Sequence, residues 1–190
     1  HKSVTKGADG ITRTNVFAER MSRTRDNLWV SRVLPADSHS AGEHAKGGKA
    51  HKHLDVATAS RWIARDATGK AQLKLVPAHG KVVVTVGKGD YDSVGFDGSW
   101  EAAWGLIDGG TLKRMKPGPA SDDLTTYTLA EKGRTLKVVW NSRLKLPAVV
   151  ESTDRTSQRY TVIQVLAIPP SRPWDGLQGF SQKEYSDYLD

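Results

Sequence analysis

The residues best suited to chemistry in this sequence are histidines. His39, His44, His51 and His53 fall close together in one short stretch, and His51 and His53 would share a face of any extended strand. Imidazole is a preferred ligand of Cu(II), Ni(II) and Zn(II), and Glu43 or Asp55 could add an oxygen. Lys46, Lys49 and Lys52 stand among them and repel a cation. Ordering a glycine-containing loop around a metal also consumes part of the binding energy as lost entropy. The composition therefore favours a solvated loop, with a metal site as the alternative. His1 offers a second copper chemistry, in which an amino nitrogen and a ring nitrogen chelate together while another histidine completes the site. A cleavage scar leaves the same residue.

No catalytic residue is assigned. The sequence holds no GxSxG elbow, HExxH, Walker loop or dinucleotide fingerprint. Gly87-Lys88-Gly89 lacks the spacing of a phosphate loop and reads as a turn that ends a strand. Asp122-Asp123 is no acid/base pair in a strand, because adjacent side chains point to opposite faces, and it reads as a solvated turn. The reading is non-enzymatic. The aromatic residues give candidate ligand-binding positions: Trp62, Trp100, Trp104, Ile107 and Trp140. Binding pockets are mostly apolar and aromatic, although packing of a helix on a sheet is the favoured reading of the same residues.

The elements that must position them are mostly strands. Leu28 to Leu34 alternates weakly and ends at Pro35, which cannot donate to a ladder. Residues 36 to 52 have no apolar period and read as a mobile loop rich in His, Lys and Gly. A short strand surrounds Trp62. Alternation then resumes at Ala71 to Val76 and at Val82 to Val86, a hairpin turning at Ala78-His79-Gly80. Trp100, Ala103, Trp104 and Ile107 lie at i, i+3, i+4 and i+7, which predicts a helix capped by Asp97 or Ser99 and stopped by Gly109-Gly110. The second half reads as a meander: Leu124 to Leu129, Leu136 to Trp140, Leu146 to Glu151, and a long strand from Tyr160 to Ile168 that is apolar on both faces and so requires cover on both sides. Ser181 and Glu184 form a capping-box pattern that predicts a short terminal helix through Leu189.

Composition sets the outer limits. A chain of 190 residues suits one domain, read as 1–190. There is no cysteine, which removes disulfides, thiolate zinc sites and iron–sulfur clusters. No apolar stretch is long enough for a transmembrane helix. The net charge of +7 permits anionic partners without choosing among them, and no RNP, KH or zinc-finger signature supports nucleic acid. The chain starts at His1 instead of Met and reads as a processed or truncated product, with any signal peptide already gone.

One stretch resembles a known group. Val139-Trp140, a short turn, Leu146-Pro147, Val149-Val150-Glu151, a polar turn and the run from Tyr160 to Ile168 are similar to the LolA/LppX-like periplasmic lipoprotein-carrier superfamily. The resemblance implies an incomplete antiparallel barrel around an apolar cavity, and export to a periplasm. The expected fold is α+β and β-dominated: a curved antiparallel sheet or incomplete barrel with one or two short helices packed on it. The expected function is to bind an apolar ligand or lipid-like partner in a half-barrel cavity, with no cofactor. Two alternatives stand beside it. One is an accessory subunit of an exported or membrane-associated assembly, engaging a protein partner through its basic surface and loop. The other is a metal-binding protein using His39, His44, His51 and His53 with Cu, Ni or Zn.

Overall fold

The computed structural model describes residues 1–34 and 54–189. The fold is β-dominated α+β, with two sheets and two short α-helices among the described residues. Neither sheet closes into a barrel, since each ends in two different edge strands. The chain divides into two compact units. The first comprises His1–Phe17 and Ser99–Pro169, and the second Ala18–Gly98 and Pro170–Asp190.

The first unit holds a seven-stranded antiparallel sheet. Its strands are β1 (Lys2–Lys6), β2 (Thr12–Val16), β8 (Lys116–Ser121), β9 (Leu124–Glu131), β10 (Arg134–Asn141), β11 (Leu146–Thr153) and β12 (Ser157–Val162), in the order β2-β1-β12-β11-β10-β9-β8. Tight turns set its registers. Asp122-Asp123 is the turn between β8 and β9, with Asp122 at φ 50°, and Lys132-Gly133 joins β9 to β10 at φ 49° and 75°. Positive φ at both central positions of the Lys132-Gly133 turn matches the twist of the flanking strands. The β8 edge carries Pro117 and Pro119, which have no N–H to offer another strand. The unit also holds α1 (Trp100–Gly105) and α2 (Gly109–Arg114). Ser99 caps α1 by accepting from the Ala102 amide at 3.1 Å, and Asp108 caps α2 by accepting from the Thr111 amide at 2.7 Å.

The second unit holds a six-stranded mixed sheet: β3 (Ala18–Arg23), β4 (Asn27–Val33), β5 (Ser60–Arg65), β6 (Ala71–Val76), β7 (Val82–Thr85) and β13 (Ser181–Glu184), in the order β13-β7-β6-β5-β4-β3. Cross-strand partners share a face. Leu28, Ile63 and Leu73 are partners across three strands, and Leu75 pairs with Val84, so one face is a row of buried aliphatic side chains. The hydroxyl of Tyr91 reaches this sheet from the segment after β7, donating to the Ala71 carbonyl at 3.2 Å and accepting from the Leu73 amide at 3.4 Å.

Three sequence expectations change. The strand expected over Tyr160 to Ile168 ends at Val162, and Val165, Leu166 and Ile168 are exposed rather than covered on two sides. The neighbour β11 has a bulge between the pairs Val139–Val149 and Trp140–Pro147; it leaves Ala148 unmatched, and Ile163 makes the last bond, to the Ala148 carbonyl. A bulged strand bends, and the partner strand loses its register there. The helix at Trp100 stops at Gly105 because Leu106 turns left-handed at φ 58°, so Ile107 lies beyond it; Gly109-Gly110 opens α2 instead of ending a helix. The terminal helix is replaced by β13 and a 3-10 turn at Tyr185–Tyr188. Its capping box sits one turn later than expected, between Glu184 and Asp187. In addition, β1, β2 and β3 occupy residues to which the sequence reading assigns no element.

Candidate binding surface

Two surfaces present apolar groups. The first lies on the seven-stranded sheet. Register places Thr126, Val139, Val149 and Val162 in one cross-strand row. The adjacent row on the same face runs Thr128, Lys137, Glu151, Tyr160, Lys2 and Val16. Val139 and Val149 are half-buried, whereas Tyr160, Val162 and Val16 are 41%, 58% and 68% exposed. The opposite face carries Leu136 and the fully buried Val138, with Trp140 next along the same strand alternation. The sheet therefore buries one face and leaves β-branched and aromatic side chains on the other.

The second surface lies on the six-stranded sheet. Trp29, Trp62, Lys74, Thr85 and Glu184 form a cross-strand row on the face opposite Leu73 and Leu75. Trp29, Val76 and Val83 are buried there, with Trp62, Trp174, Leu177 and Phe180 packed against them and half-exposed. Trp62 is fixed at both ends: its Nε1 donates to Asn27 Oδ1 at 2.9 Å, and the Lys74 ammonium lies 4.7 Å from its ring centroid.

Of the expected ligand-binding residues, Trp62 belongs to the second unit, while Trp100, Trp104, Ile107 and Trp140 belong to the first. Trp100 is buried on α1, and Trp104, Ile107 and Trp140 are half-buried. The expected set missed Val16, Tyr160 and Val162, whose exposure depends on which face of the sheet is covered. It also missed Trp174 and Phe180, whose partners are distant in sequence.

His39, His44, His51 and His53 lie outside the described residues. Among the described residues, no group of three His, Asp or Glu side chains could hold a metal. At His1 both chelating nitrogens are engaged. The amino group donates to the Phe17 carbonyl at 2.8 Å, Nδ1 lies 2.9 Å from Thr161 Oγ1, and the ring stacks on Phe17 at 4.7 Å. Among the described residues, no helix is long and apolar enough to cross a membrane.

No protein-family model matches the chain, and no curated protein matches it in sequence. A solved structure described as that of PNGF-II in a C2 space group is similar to 98% of this chain, with a TM-score of 0.41 and 11% identity. This chain spans 30% of that one. A likeness at that level assigns neither fold nor activity.

Proposed function

We propose that the protein is a non-enzymatic, exported binding protein that takes an apolar ligand or lipid-like partner on the open face of its seven-stranded sheet. The observation that carries this reading is the row Val139–Val149–Val162 with Tyr160 and Val16 beside it, apolar and partly in water. Exposed apolar side chains gathered on one face mark ligand or partner sites in soluble proteins. Lys2, Lys137 and Glu151 on the same face supply a polar margin that could meet a head group. Export rests on the carrier resemblance of residues 137–168.

The test is titration of the full chain with a neutral apolar fluorescent probe and with phospholipid vesicles. Val162 is largely in water, so Val162→Asp leaves the fold intact and should weaken probe binding about tenfold, the equivalent of ~1.4 kcal/mol. Trp104→Ala separates this site from a helix-lined cavity. Binding lost with Trp104→Ala and kept with Val162→Asp would move the ligand off the sheet face. An unmodified chain that takes up neither probe nor lipid would end the reading.

A further inference from the structure

The second unit is completed by a segment that reaches it from the first. Ser99–Pro169 belongs to the first unit, and Pro170–Asp190 belongs to the second. That segment is bound the way a peptide is bound. Its strand β13 adds to the outer edge of β7 in parallel, pairing Ser181 with Val82, Gln182 with Val83, Lys183 with Val84 and Glu184 with Thr85. Ahead of the strand, Trp174, Leu177 and Phe180 recur every third residue and sit on Trp29, Val76 and Val83. Main-chain pairing at a sheet edge with side-chain anchors beside it is the recognition mode of strand addition. Nothing in it requires that strand and edge come from one chain.

The connection between the units is the second observation. Residues 163–170 form no strand or helix, and they carry Val165, Leu166 and Ile168 at 63%, 57% and 94% exposure before Pro169-Pro170. A connection that leaves three large aliphatic side chains in water forgoes burial that it would gain beside a second apolar connection. We infer that the β7 edge and the Trp29–Val76–Val83 surface form a docking site for residues 170–189 of a second copy of this chain, so that two chains exchange these segments. In the exchanged dimer every bond of the docked segment is kept, and the two 163–170 connections run side by side and cover their aliphatic side chains. The balance between the closed chain and the exchanged pair is then set by concentration against that added burial.

The absence of cysteine in these 190 residues allows a direct test. Thr85 and Glu184 are register partners at the accessible end of the β7–β13 pair. One preparation carries Thr85→Cys and another Glu184→Cys; the two are mixed at high concentration, incubated and oxidised. Exchange yields a disulfide-linked species of twice the chain mass containing one of each chain. A mixture that stays monomeric, while a chain carrying both substitutions closes on itself, overturns the inference. So does a dimer, seen by light scattering, that never links these two positions. Because Glu184 also caps the 3-10 turn, a second measurement uses chains without cysteine. Native mass spectrometry of isotopically light and heavy chains should show dimers of mixed mass. Leu166→Asp with Ile168→Asp should remove those dimers and leave the unfolding transition of the monomer unchanged. Mixed dimers that survive both substitutions would show that the connection does not drive the exchange.

Discussion

The two units use similar strands in different ways. In the six-stranded sheet, Leu28, Leu73, Leu75 and Val84 are buried almost completely, and Trp29, Val76 and Val83 are buried on the other face. In the seven-stranded sheet, among the described residues, the buried side chains of the strands are Val138, Pro147 and Ser152, and most alternating apolar positions stay half-exposed. Sequence alternation is as dense in β9–β12 as in β4–β7. The difference comes from cover: the second unit has chain on both faces of its sheet, including residues 170–189. Apolar alternation shows which face a side chain joins, and not whether anything packs against that face.

The largest expected effect sets one leucine from each unit against the other. Leu73→Ala empties a fully buried position and should lower stability by about 3 kcal/mol, within the range for buried leucines. Leu129→Ala, at a half-buried position on β9, should cost about 1 kcal/mol. Urea unfolding of both variants measures the difference, and equal losses would break the contrast between the units. Native-state hydrogen exchange sharpens the same contrast. The slowest amides should lie in β4–β7, although the density of apolar residues alone points to residues 124–168.

A middle-sized effect belongs to the docked segment. Phe180 packs half-buried on the Trp29 surface, and Phe180→Ala should cost about 2 kcal/mol. The loss should concentrate in faster exchange of β7 and β13, leaving β9–β11 unaffected. Uniformly faster exchange across both sheets would mean that the two units unfold as one.

Most of the strands were legible from residues 60 to 162. Val82, Val84 and Val86 alternate, and Lys132-Gly133 marks a hairpin, because local turn chemistry and the two-residue period act over a few residues. β1 and β2 were not legible, since Lys2–Lys6 and Thr12–Val16 are half-polar and polar strands near an open edge. β13 was not legible for another reason. Ser181-Gln182-Lys183-Glu184 satisfies a helix-capping pattern locally, and it becomes a strand only because the β7 edge, distant in sequence, supplies its partners. At the candidate surface the aromatic residues are visible as types, but the apolar run from Tyr160 to Ile168 predicts a strand covered on both faces. The exposure of Tyr160 and Val162 follows from the open sheet face, which leaves no mark in the residues themselves.

The smallest effect concerns the turn that holds the exposed strand of the first unit in place. Asp154 joins β11 to β12. Its Oδ2 accepts from the Ser157 hydroxyl at 2.6 Å, and its Oδ1 accepts from the Thr156 and Ser157 amides, each at 2.8 Å. These bonds, the Ser157 hydroxyl first, hold the carboxyl well below its ordinary value of 3.8. The folded value is the lower one, so the unfolded chain takes up the proton first as pH falls. The turn's contribution is therefore complete above the ordinary value and is lost progressively below it. Asp66 makes the equivalent turn between β5 and β6, accepting from the Thr68 hydroxyl and amide and the Lys70 amide, and its carboxyl is lowered in the same direction. Asp154→Ala should lower the thermal midpoint at neutral pH, and its gap from the unmodified chain should narrow as pH falls toward about 2. Asp66→Ala should show the same narrowing, with the early loss of structure in the six-stranded sheet. A gap for Asp154→Ala that stays constant across the acid range would assign its effect to turn geometry instead of carboxylate charge. Any acid sensitivity of the seven-stranded sheet would then have to come from elsewhere in it.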